Sequence, residues 1–385
     1  MKGPSKLRSV TAVLATSCFL GFGSAASAEQ LRLAVGFPTG AYPDAAEVYA
    51  DAVERYSDGE LSVRVFELSL LNLAEMSDGV GSGIADAGVV LTPYFPSQYP
   101  HINFAADLSM MLALENDLGG KEGWAYGGAM LEFVMHNCPE CLTEIHSQNQ
   151  IYTGGGASPR YGLLCNEPVR TLDDIEGKRL RAGAAPWARW AEHFDASPVT
   201  LPGNEILEGL NQGVIDCVII SATELSGLRL RDATTDITMD VPGGVFAGGN
   251  APSVNADRWA GLNDEQREAL LRAGAVFTAQ VSYRYSTYAD ENIAAAKEQG
   301  ITLHEADEEL VAASQAFIEE DLRKTARHYR EEYGVEDGEE IVATMNSLVD
   351  KWVELVADVD DPDELAQLYW DEVYSDLDPS AYGLR

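Results

Sequence analysis

Short alternating apolar runs take turns with longer stretches of helical spacing along most of this chain, and that rhythm leaves few folds open. Leu31–Val35 alternates, then a Gly/Pro loop follows over Gly36–Pro43. Val48, Ala52, Val53 and Tyr56 recur at helical spacing, Gly59 breaks the pattern, and Leu61–Phe66 alternates again. This is a strand–helix–strand unit. A helix over about 73–83 and a buried strand over 86–91 extend it. The pattern resumes with strands at 160–164, 178–181, 198–201 and 214–220, and helices at 185–194 and 204–212. Between them Thr171–Ile175 is a capped helical turn that ends at Gly177. Strands alternating with helices of this length predict a parallel α/β sheet. Gly154-Gly155-Gly156 is read as a hinge or crossover between two lobes. The last third predicts helices. Asn263 and Gln266 are spaced as a capping box before helical periodicity over 264–298. That is long for a globular helix and predicts one that kinks or spans both lobes. A short strand at 301–304 and helices near 307–332, 338–357 and 363–375 follow.

The start of the chain predicts export. Lys2, Lys6 and Arg8 precede an apolar run, Val10–Phe22, which is too short to span a bilayer. Ala26-Ser27-Ala28 is a small-x-small cleavage site, a better fit than the faint lipoprotein box at Leu14–Cys18. The reading is a signal peptide over 1–28 and a periplasmic mature chain from Glu29, with no later segment suited to direct membrane insertion. Loss of the three basic residues takes the net charge from −36 to about −39. Such a field repels nucleic acid and anionic membrane surfaces. The acidic residues are spread along the whole chain and mark no site, as in a salt-adapted secreted protein. An anionic ligand entering this field therefore needs a local positive group. Cys138, Cys141, Cys165 and Cys217 form an even set in an oxidising compartment, with three possible pairings. Cys138 and Cys141 invite a local bridge. Cys165 and Cys217 lie in separate strand-like runs that a bridge could join.

Motifs of catalysis are missing. There is no Gly-x-Ser-x-Gly and no P-loop, and the glycines of Gly79–Gly83 end a helix instead of opening one. The six histidines are scattered, and no second CxxC or paired histidine completes a zinc site. The acidic stretch Asp358–Asp363 lacks the central Gly and final Glu of a calcium loop. Neither an enzyme nor a cofactor or metal is expected.

Segment 160–220 carries the most specific signal. Leu172–Arg181 (LDDIEGKRLR) resembles the "DLKGLKIR" strand of TRAP-transporter solute-binding proteins of the DctP type. Ala196–Val199 resembles the family's "GA-x-PV", and Glu205–Asp216 its "E-x-x-x-AL-x-x-G-x-xD", in the same order and spacing. Gly83–Ala87 and Trp259–Ala269 resemble two further blocks. The resemblance implies a two-lobed α/β periplasmic-binding-protein-like fold with crossover strands, a long lobe-spanning helix and a helical C-terminal part. It places lobe I at 29–157, with 247–285 returning to it. Lobe II falls at 158–246, and C-terminal helices at 286–385 pack on both. It implies a monomer that captures a small organic anion and delivers it to TRAP membrane permease subunits. A ligand sensor on the same fold is the alternative.

The resemblance assigns Arg181 as the anion anchor. A planar guanidinium matches a planar carboxylate, and the pair strengthens when a closing cleft excludes water. A sulfonate would satisfy it nearly as well. Tyr161 stands where the family often has a second arginine, Ile220 replaces a pocket asparagine, and Gly203-Asn204 replaces a bulkier residue. Tyr161, Asn204, Tyr94, Tyr42 and Trp187 are the expected pocket lining, with Phe37, Phe95 and Trp190 close by. Glu205 and Asp216 are expected to position helix and strand, not to touch ligand.

Overall fold

The computed structural model describes residues 28–114 and 118–384, together with Met1 and Gly3. The expected export segment lies almost wholly outside the described residues. Two sheets organise the rest. The first contains β1 (Glu29–Val35), β2 (Leu61–Glu67), β3 (Ala87–Leu91), β4 (Gln150–Tyr152) and β10 (Gly249–Asn255), in the order β2-β1-β3-β10-β4. The second contains β5 (Gly162–Cys165), β6 (Arg179–Arg181), β7 (Ser197–Val199), β8 (Cys217–Ile220), β9 (Asp236–Thr238) and β11 (Thr302–His304), in the order β11-β9-β5-β8-β6-β7.

The sheets are mixed, not wholly parallel as the strand–helix rhythm predicts. β10 runs antiparallel to both β3 and β4, and β5 runs antiparallel to both β8 and β9. Each receives the chain straight from the opposite sheet, β10 through 239–248 and β5 through 153–161. No helical crossover within one sheet precedes them, so nothing imposes the parallel sense. β10 is also invisible to propensity. Its Gly249-Asn250-Ala251-Pro252 start is poor in strand formers, and the register against β3 shifts between Asn250 and Ser253. The helices Pro100–Asp107, Glu122–Glu132 and Pro139–Ser147 also escape sequence reading, the first two for a related reason. In the second, every residue from Glu122 to Leu131 is buried, so no polar face marks a period.

A local device recurs in both halves and explains the Gly-x-x-Asp blocks. Gly83 and Gly213 adopt φ of +76° and +64° and end their helices in the left-handed region. Three residues on, Asp86 accepts the backbone N–H of Arg32 at 2.8 Å, and Asp216 accepts that of Arg179 at 2.8 Å. The same arginines then reach back to the carbonyls of Gly83 and Gly213. Each helix end is thereby tied to a neighbouring strand, β1 at its middle and β6 at its first residue.

The Asp264–Glu298 helix opens with the expected capping box from Asn263 and Gln266. It packs along the Ala41–Tyr56 helix beneath the first sheet, and its far end reaches β11 of the second. Packing is tightest at Gly274, where a Cβ would lie 1.9 Å from the Thr153 carbonyl oxygen. Residues 153–161, 239–248 and this helix thus join the halves. The Glu308–Tyr333 helix adds a brace: Arg189 of the second half pairs with its Asp321 through two 2.8 Å bonds and lies 3.4 Å from Asp107 of the first. Both cysteine pairs are bridged, Cys138 to Cys141 and Cys165 to Cys217. The second bridge joins residues directly opposite each other on β5 and β8. No helix among the described residues is long and apolar enough to cross a membrane.

Candidate ligand site at the sheet junction

Ligands of open α/β sheets bind beyond the carboxyl ends of their strands, where loops from both sides converge. Arg181 ends β6 at that edge and is only 2% exposed. Its Nε donates to the Leu201 carbonyl at 3.0 Å, and its Nη2 donates to the Tyr94 hydroxyl at 2.9 Å. That hydroxyl also accepts the Gly203 N–H at 3.1 Å. Gly183 leaves the space the guanidinium needs, since a Cβ there would lie 2.7 Å from Nη1. Among the described residues no carboxylate lies within ion-pair distance of this guanidinium, although most other arginines are paired.

Around Arg181 a cavity with about 30 Å³ of free space lies between the halves. That is room for one or two waters, so a larger guest requires the halves to part or Tyr94 to turn. Phe37 and Tyr42 line it from the first half, with rings stacked at 4.9 Å. Tyr161, Gly203 and Ile220 line it from the second. Beyond Tyr94, which borders both spaces, a larger cleft of about 360 Å³ opens between Pro93, Pro96 and the 182–185 loop.

Four of the expected lining residues therefore meet: Arg181, Tyr161, Tyr94 and Tyr42. Two do not. Asn204 is exposed, and the neighbouring Gly203 meets the cavity in its place. Trp187 is 1% exposed and stands behind the wall, stacked on Tyr161 at 4.4 Å while its Nε1 donates to the Gly243 carbonyl. Of the residues expected close by, Trp190 is core, its Nε1 bonded to Ser314. Phe95 packs on Tyr99 outside the cavity.

Glu224 and Tyr285 complete the cavity and were not legible in the sequence. Glu224 follows β8 in the short Glu224–Gly227 helix and is 5% exposed. Burial pushes its carboxyl up to about 7, against the lowering effect of a hydrogen bond with Tyr285 and the charge of Arg181. Burial likewise holds the Tyr161 and Tyr285 phenols well above their ordinary range, so both remain neutral donors. A lone carboxylate in the otherwise uncharged run 217–228 is the available signal. Tyr285 had none, being one aromatic among many on a long helix.

Residues 155–328 match the model of a bacterial extracellular solute-binding protein family, family 7, also called DctP. That segment, a little under half of the chain, is similar to this family. The chain's fold is that of solved relatives at low identity. A marine metagenome TRAP solute-binding protein specific for aromatic acids, bound to 3-hydroxybenzoate, superposes with a TM-score of 0.72 at 18% identity, over 84% of this chain and 99% of that one. A Bordetella pertussis extracytoplasmic solute receptor that binds pyroglutamic acid gives 0.66 at 20%, over 83% and 100%. A solute-binding protein of Albidiferax ferrireducens is 22% identical over 228 residues, 59% of this chain. This chain spans 64% of that relative's length. These relatives are solute-binding receptors, not enzymes. Family 7 is extracellular, in keeping with two disulfides in the fold.

Proposed function

We propose that this protein is the periplasmic binding component of a TRAP-type transporter, capturing a small organic acid and delivering it to membrane permease subunits. The reading rests on Arg181. A buried guanidinium cannot shed its proton and is costly to leave without a counter-charge, so its cavity is built for an arriving anion. Neutral phenols around it supply further donors. Solved relatives that bind pyroglutamic acid and 3-hydroxybenzoate support a carboxylate as that anion. In this reading 29–157 with 247–285 forms one lobe and 158–246 the other. Residues 286–385 brace them while the cavity opens and closes.

The test is a thermal-shift screen of the mature protein against small carboxylates, sulfonates and aromatic acids, followed by calorimetry. A carboxylate should raise the melting temperature by mass action, and Arg181→Ala should weaken binding at least about a hundredfold, as for loss of a charge-assisted pair. Binding indifferent to Arg181 would sink the reading.

A further inference from the structure

We propose that Glu224 is a second anchor in the same cavity and selects acids that carry a hydrogen-bond donor, a hydroxyl or an amide N–H, close to the carboxylate. The inference rests on reading the cavity as an organic-acid site and specifies which acids it prefers.

The geometry is that of a prepared group. Arg181 and Glu224 come from adjoining parts of one sheet, at and just beyond the ends of β6 and β8, and both face the cavity. The segment that carries Glu224 is fastened to the long helix. Asn292 donates to the carbonyls of Ala222 and Thr223 at 3.1 and 2.9 Å, and the Thr223 hydroxyl donates to the Tyr285 carbonyl at 2.7 Å. Gly227 leaves room for the carboxyl, since a Cβ there would lie 2.7 Å from Oε2. Across the junction, the Thr39 hydroxyl donates to the Gly227 carbonyl at 3.2 Å. Much of the remaining wall is apolar, including Leu91, Ile220, Leu228 and Phe246. A carboxyl held this firmly in a cavity meant for an anion poses a problem of like charge. The conflict is relieved when a donor on the guest bonds to the carboxylate, or when the carboxyl takes up a proton. A guest with a donor gains a bond. A guest without one must bring a proton along.

The groups facing Glu224 are Arg181, Tyr285, Tyr42 and Tyr161. Burial keeps the three phenols protonated at physiological pH, and Arg181 stays charged. Glu224, raised to about 7, is the member of this group that titrates near neutrality.

Two matched pairs of probes isolate the effect: 3-hydroxybenzoate against benzoate, and mandelate against phenylacetate. Calorimetry on the native protein should favour the donor-bearing member of at least one pair about tenfold, the worth of one bond to a charged group. Glu224→Leu should bring that ratio to about one. Affinity for the plain acid should fall by up to about tenfold per pH unit above about pH 7, because its capture takes up a proton. Glu224→Gln, which keeps an acceptor but cannot ionise, should flatten that slope. It serves as the second reading should Glu224→Leu not fold. If acids bind through Arg181 but the ratio survives Glu224→Leu, or the native slope is already flat, Glu224 is only a structural tie to Tyr285. The inference then fails while the acid-site reading stands. If no probe binds, or binding ignores Arg181→Ala, both fall together.

Discussion

Arg181 and Glu224 enter one cavity with opposite charges, and burial treats them differently. The guanidinium keeps its proton under all ordinary conditions, so its cost is met only by a partner. The carboxyl can neutralise itself. With a folded-state value near 7 and an unfolded value near that of free Glu, its protonated form is the one the fold tolerates. The stability this contributes is fully present below the unfolded value and is lost as pH rises through about 7. Glu224→Gln should therefore gain on the native protein by on the order of 1–3 kcal/mol between about pH 5 and about pH 8. Urea unfolding of both proteins at the two pH values measures it, and a constant difference would show that the carboxyl is solvated. The same residues show why a site is only partly legible in sequence. Arg181 announced itself through a motif, and Tyr161, Tyr94 and Tyr42 through position at strand ends. Asn204 and Trp187 lay at the right places along the chain, but a one-residue turn of the backbone at Gly203 and a stacking partner at Tyr161 put them outside the cavity. Glu224 lies in no recognised block.

Elements whose ends are chemically marked could be placed closely. The Asp264–Glu298 helix matches its sequence bounds because Asn263, Gln266 and Gly300 mark both ends. Elements defined by their surroundings could not, as β10 and the Glu122–Glu132 helix show: nearly complete burial leaves them no polar face to mark a period. Gly274 illustrates the same dependence in reverse. Helix propensity alone favours Ala there by about 1 kcal/mol. The Thr153 carbonyl leaves no room for a Cβ, so Gly274→Ala should instead destabilise by about 1–3 kcal/mol. A neutral or stabilising result in chemical denaturation would mean the helix slides freely against the 153–161 crossover.

At the scale of the whole molecule, charge and connectivity act together. A protein of net charge −36 repels the anion it is proposed to capture until the anion comes within reach of Arg181. Added salt screens that repulsion over a Debye length of about 10 Å at 0.1 M. The association rate for a small carboxylate should thus rise with ionic strength, the reverse of steered binding. Stopped-flow fluorescence from the cavity aromatics would follow it, and a rate that falls with salt would show that a local positive field dominates. Connectivity sets how the halves then respond. Two bodies on one tether can swivel and slide. A second tether leaves rotation about the line between the two, and a stiff rod laid across the junction removes sliding along it. Here the 153–161 and 239–248 crossovers, the Asp264–Glu298 helix and the Glu308–Tyr333 brace all span the junction, so in the proposed reading swivelling and sliding are closed off and a narrow hinge motion is what gathers or scatters the groups that meet at the cavity.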